Sequence, residues 1–233
     1  MRTLFVLSIA WFLLTSAVHA ASCQLDNSLP DPRPVRTDWQ NKNTKTDYYA
    51  LALSWSPQHC ANPQMRNRNR FQCQLNQFEF VVHGLWPQSS NARNKFGHPR
   101  HCRDDKILPR ELVRKHVCTV PGADLMQGEW IKHGTCAFDR AENYFGKIEE
   151  LWSQLNKPSL QTSSRQGFTV GELKESFVAA NKKQGLKADH LVVWVNNRGY
   201  LRELVVCYDL KYSFIGCSMR GTPDHQPLRV RLN

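Results

Sequence analysis

The sequence predicts an α+β domain, a central antiparallel sheet with helices packed to one side and stapled by disulfides. Three observations carry that prediction. Strand-like patterns come early (Asp47 to Trp55, Gln77 to Val82) and late (Leu191 to Val195, Tyr200 to Asp209). Helix-like patterns are grouped between them. The eight cysteines, Cys23, Cys60, Cys73, Cys102, Cys118, Cys136, Cys207 and Cys217, form an even set behind an apolar leader, which argues for disulfides made in an oxidising compartment.

The leader opens with Arg2, runs apolar from Leu4 to Leu14 and closes on Val18-His19-Ala20. Small residues at that end predict a signal peptide over residues 1–20, cleaved after Ala20. The run is too short to span a bilayer comfortably, and no later stretch is long and apolar enough. Residues 21–46, polar and carrying Pro30, Pro32 and Pro34, read as an extended arm. A single domain is expected over residues 47–220, followed by a short tail over 221–233. Ala20-Ala21-Ser22 is a poor lipidation signal for Cys23, and no close C-x-x-C pair supports zinc.

In the first strand Tyr49, Leu51, Leu53 and Trp55 alternate with smaller residues, so the large side chains share one face. Pro57 ends that strand. Arg66, Arg68 and Arg70 follow in a polar loop that is either a solvated surface or a phosphate-contacting rim. The second strand places His83-Gly84 at its end. Residues 88–108 form a long basic loop holding Arg93, Lys95, His98, Arg100, His101 and Arg103.

Leu108 to Val117 predicts a helix with Pro109 in its first turn. Asp124 to Thr135 predicts another, with Asp124 as N-cap. From Arg140 to Asn156, Tyr144, Ile148, Leu151 and Leu155 recur at helical spacing, as a core stripe would. Thr169-Val170-Gly171-Glu172 is a capping box that opens a helix to about Lys183. Asn196 to Gly199 is the turn between the two late strands.

The net charge of +11 favours a polyanionic partner, whether nucleic acid, polysaccharide or a membrane face. No amphipathic helix with a strong basic face supports membrane attack. No Asn-x-Ser/Thr sequon occurs, which points towards a bacterial source and export to the periplasm or medium.

Two stretches carry chemistry: His83-Gly84-Leu85-Trp86-Pro87 and Glu129-Trp130-Ile131-Lys132-His133-Gly134-Thr135-Cys136. On a helix, Glu129 and His133 would share a face that Lys132 borders. Histidine has the side-chain pKa nearest neutrality, so one copy can be neutral while another is charged. Singly, each residue also fits an ordinary surface or backbone-bonded role.

His83-Gly84-Leu85-Trp86-Pro87 and Lys132-His133-Gly134-Thr135-Cys136 together resemble the two motifs of the ribonuclease T2 family. Weaker likeness extends from about Tyr49 to Cys217. The resemblance implies an exported endoribonuclease of little base specificity, acting on single-stranded RNA with no cofactor or metal; a monomer with no membrane and no obligate protein partner is the expectation here. It implies His133 as general base, His83 as general acid, and Lys132 and Glu129 as stabilisers of the transition state. Trp86 offers a stacking face, and Gln88 falls in the base-binding pocket. It also implies Cys102–Cys136 and Cys207–Cys217. The other four cysteines allow three pairings, of which Cys60–Cys73 with Cys23–Cys118 is the one expected here. One departure stands out. Many members carry a third, phosphate-binding histidine just before the glutamate, and this chain has Gly128. That leaves its role open to His101 or a loop arginine, and leaves an RNA-binding protein with weak or no catalysis as the alternative.

Overall fold

Large-small alternation sets the centre of the molecule, β1 (Tyr48–Trp55). In the computed structural model, which describes residues 23–232 apart from 26, 28 and 161–167, Tyr49, Leu51, Leu53 and Trp55 enter the main core. Tyr48, Ala50 and Ala52 face a second, smaller cluster on the other side. Both faces of the strand are therefore buried, and alanine fits the shallower side. The expected leader lies outside the described residues.

Pro57 sits in the first turn of α1 (Ser56–Cys60). The next segment folds as α2 (Pro63–Arg68) rather than as the expected loop, because Asn62 accepts a hydrogen bond from the backbone of Gln64 and starts it. Beyond it, β2 (Phe80–Gln88) pairs antiparallel with β1. The helices come next: α3 (Arg110–His116), with Pro109 as its N-cap rather than in its first turn, α4 (Ala123–Lys132) and α5 (Ala141–Gln154). A short strand, β3 (Phe168–Thr169), leads into α6 (Val170–Ala180), whose capping box joins Thr169 and Glu172 reciprocally. Then β4 (Leu191–Val195) and β5 (Leu201–Tyr208) form a hairpin whose turn contains Gly199 at φ +78°, a left-handed position that favours glycine.

The four-stranded antiparallel sheet has the order β2-β1-β5-β4. Helices α4 and α5 pack on β2, and α6 packs on β4. Tyr144, Ile148 and Leu151 of α5, the following Leu155, and Leu173 and Phe177 of α6 are buried in the main core. Each such burial stabilises by roughly 1.5–3 kcal/mol.

Four disulfides hold the periphery: Cys23–Cys118, Cys60–Cys73, Cys102–Cys136 and Cys207–Cys217. With every cysteine so bonded, none is a thiolate that could bind zinc. The arm is laid on the surface. Leu29 is buried, Arg33 pairs with Asp124, and Asn41 and Arg100 exchange backbone hydrogen bonds. The tail is anchored too, through β6 (Pro227–Leu228), which pairs with β3, and through the Arg231 carbonyl, which accepts from Trp55 Nε1 at 2.7 Å.

Candidate active site

β2 is an edge strand, and its pairing with β1 slips once. Ala52 faces Gly84 while Leu53 faces Val82, so His83 is the extra residue of a bulge. The strand continues to Gln88, and His83 is not at its end as the sequence suggested. The bulge re-aims the imidazole between two carboxylates. Nδ1 lies 2.5 Å from Glu203 Oε1, and Nε2 lies 3.6 Å from Glu129 Oε1. Glu203 sits on β5 opposite Ser54, whose hydroxyl donates to the same oxygen at 3.3 Å. Burial opposes charge on His83, but Glu129 and the hydrogen-bonded Glu203 outweigh it and raise its pKa.

The second motif is less helical than expected. Gly122, not Asp124, occupies the N-cap of α4, and Asp124 is drawn to Arg33 of the arm. At the other end the helix stops at Lys132, because His133 turns away at φ −123° and ψ −49°. His133 is the C-cap, and its N–H still donates to the Glu129 carbonyl at 3.0 Å. Glu129, 5 % exposed, turns to β2, where its Oε2 accepts from Trp86 Nε1 at 2.7 Å. A Cβ on Gly84 would stand 2.0 Å from that oxygen, so this motif glycine is what admits the carboxylate. Burial raises the Glu129 pKa despite the opposing pull of His83, Trp86, Lys132 and Arg100.

The Trp86 ring lies between the two histidines, 5.3 Å from the His83 ring and 5.7 Å from the His133 ring by centroids. His133 Nε2 accepts a hydrogen bond from Arg100 Nη1 at 3.0 Å. A guanidinium has no acceptor, so Nε2 carries a lone pair, and Nδ1 is buried without a hydrogen-bond partner. Burial, then Arg100, His83, Lys132 and His101, hold the His133 pKa well below the ordinary imidazole value. One cleft thus holds an imidazole that favours its proton and one that rejects it.

This fold also occurs in known proteins. The family model described as the Ribonuclease T2 family matches residues 46–217. The chain belongs to the ribonuclease T2 family. A protein of Haemophilus influenzae named "Probable ribonuclease" is 39% identical over 189 residues, which is 78% of this chain and 64% of that protein. The chain thus spans a little less than two thirds of that relative's length. Ribonuclease S-2 of Antirrhinum hispanicum is 28% identical over 181 residues, 70% of this chain and 72% of that protein. Among solved structures, RNase NT in complex with 5′-AMP superposes with a TM-score of 0.59 at 18% identity, covering 80% of this chain and 98% of that one.

Trp86 and His133 open onto a groove of about 610 Å³ whose lining also includes Trp39, Gln88, Lys95, Arg100 and Trp194, while His83, Glu129 and Lys132 do not line it. Gln88 is mostly buried and donates to the carbonyl of Pro87, yet still lines the groove. Arg93 and His98 join it from the basic loop, whereas Arg66, Arg68 and Arg70 line other grooves. Arg103 is spent on structure, donating to the carbonyls of Thr135, Phe138 and Asp139. Lys132 closes α4 immediately before His133, and its carbonyl accepts from the His101 backbone.

Three contributors escaped the sequence reading. Glu203 had a weak signal, the one carboxylate of β5, placed between Arg202 and the apolar run from Leu204. Asp38 and Trp39 had none, because nothing in a polar, proline-rich arm marks which residues fold back into a cleft.

Proposed function

We propose that this chain is an exported endoribonuclease that cuts single-stranded RNA by transesterification, as a monomer and without a metal. One observation carries the reading: two imidazoles of opposite proton preference flank one indole in one cleft.

His133 Nε2 takes the proton of a ribose 2′-hydroxyl, and that oxygen attacks the adjacent phosphorus. The bond from phosphorus to the 5′-oxygen breaks as His83 donates its proton to that oxygen. The products are a 5′-hydroxyl and a 2′,3′-cyclic phosphate. The roles then reverse, and water opens the ring to a 3′-phosphate. Lys132 puts positive charge where the phosphorane gathers negative charge. Glu129, lodged between His83 and Trp86, fixes both rings and sustains the charge on His83. The internal nucleophile makes attack intramolecular and denies DNA as a substrate.

Trp86 supplies a flat stacking face and Gln88 an amide at the groove, an arrangement that tolerates different bases. That RNase NT was solved with 5′-AMP supports nucleotide binding by this fold. Four disulfides and the apolar leader support export. The alternative, an RNA-binding protein with weak or no catalysis, is disfavoured because His83, Glu129, Lys132 and His133 are all present and grouped.

The test is to incubate the purified protein with single-stranded RNA and with DNA of matching sequence, both in excess chelator. RNA should be cut and DNA left whole. Loss of cleavage in chelator would refute the metal-free route, and an intact RNA at all pH values would favour the binding-only alternative.

A further inference from the structure

The guanidinium of Arg100 is held on several sides. Its Nε and Nη2 grip both oxygens of Asp38, at 3.0 and 2.6 Å. Its face lies 5.1 Å from the Trp39 ring. Its backbone is bridged to Asn41, two hydrogen bonds of 2.9 Å each. All three partners belong to the arm. With one edge of the fork so occupied, Nη1 is left aimed into the cleft, 3.0 Å from His133 Nε2. The side chain is only 14% exposed. Asp38 also accepts from His101 Nε2 at 3.2 Å, and the Arg100 contact holds its carboxyl well below the usual carboxylate range. Asp38 therefore stays ionised and the grip persists across the working pH range.

Nε2 is the nitrogen that must receive the 2′-hydroxyl proton, so Nη1 cannot remain on it during the reaction. The scissile phosphate must come within reach of His133 for attack, and it is the anion that a released guanidinium donor would meet first. Resting on the reading of this cleft as a ribonuclease site, we propose that Arg100 is a phosphate-binding catalytic residue. It caps the His133 lone pair in the free enzyme and transfers Nη1 to the scissile phosphate when RNA binds. Asp38 is its positioning residue, which makes the arm part of the active site.

The neighbourhood fits this assignment. The position ahead of Glu129 is Gly128, where an added Cβ would meet nothing within 4 Å, so α4 supplies no side chain there. Arg100 of the basic loop instead brings a cation to His133 at the end of α4. A planar fork suits the task better than an ammonium would, because one edge can bind a carboxylate while the remaining donors bind a phosphate.

The test uses the full-length mature protein and a dinucleoside phosphate substrate, with wild type and His83→Ala in parallel. Those two fix whether the ribonuclease reading itself holds. Given an active wild type, Arg100→Ala should lose on the order of 10²–10³-fold in kcat/KM, as removal of one preorganised transition-state donor does. Added guanidinium ion should restore part of that rate. The acid limb of its pH profile should also move to higher pH. The charged groups around His133 are Arg100 and His101 from the loop, Lys132 from α4 and His83 from β2, and the variant removes the first. Asp38→Asn should lose less, and the double variant should be no worse than Arg100→Ala, since Asp38 acts through Arg100. Should Arg100→Ala fail to fold, Arg100→Lys decides, because an ammonium lacks the planar fork that grips Asp38 with one edge and aims a separate donor into the cleft. An Arg100→Ala or Arg100→Lys enzyme within about threefold of wild type, or losses from Asp38→Asn and Arg100→Ala that simply multiply, would overturn the proposal.

Discussion

His83 and His133 are the same residue type in one cleft, and their neighbours make them chemically different. Glu129 and Glu203 hold the proton on His83, while burial and nearby cations keep His133 neutral. The signs fix the pH dependence. The acid must be protonated, so it works up to its raised pKa. The base must be neutral, so it works down to its lowered pKa. The rate profile should therefore be a broad bell, its acid limb below and its alkaline limb above the ordinary imidazole value of about 6.5. Glu203→Gln removes one of the two carboxylates that raise His83 and should shift the alkaline limb to lower pH with the acid limb unmoved. An unchanged alkaline limb would remove Glu203 from this role. His83→Ala or His133→Ala should each cost about 10²–10⁴-fold in kcat, measured by single turnover on RNA.

At the scale of elements, the site depends on a strand irregularity and a helix end. The bulge in β2 turns His83 out of the pleat, and the stop of α4 at Lys132 frees His133. Neither was legible in the sequence. Period-2 and period-3.6 patterns reveal that a strand or helix exists, but a bulge is fixed by the partner strand's register and a helix end by its local contacts. The motif residues themselves were legible, because chemistry confines their type and spacing. Gly84 shows the link. Gly84→Ala should displace the Glu129 carboxylate and lower kcat/KM by about 10²-fold, with overpacking of about 1–3 kcal/mol seen as a lower Tm. An enzyme with full activity would show that Glu129 need not sit over Gly84. The Cys102–Cys136 bond closes a loop of sequence separation 34 and joins the basic loop to the end of the second motif. Replacing both cysteines by serine should remove about 3–4 kcal/mol of stability in the chain-entropy picture. Denaturant unfolding measures that loss.

Across the whole molecule, an antiparallel sheet braced by helices carries a cleft on its edge strand, and arm, basic loop and tail are fastened around it. The α+β class was legible because strand and helix patterns are segregated along the chain. The arm's part was not, because Asp38 and Trp39 meet Arg100 only through folding over 60 residues of sequence. With a net charge of +11 and Lys95 and Arg93 at the groove, cleavage of long RNA below saturation should weaken with salt. Log kcat/KM should fall linearly with log salt, by about 0.7 for each phosphate neutralised on a single strand, and a flat dependence would deny the groove an electrostatic role. The central claim is that the RNA's own 2′-hydroxyl is the nucleophile, driven by two imidazoles. A DNA oligonucleotide containing one ribonucleotide tests it most directly, with the product ends read by mass spectrometry. A single cut is expected, 3′ to that ribonucleotide, leaving a 2′,3′-cyclic phosphate at early times. A cut elsewhere, or a 5′-phosphate at the new end, would contradict it.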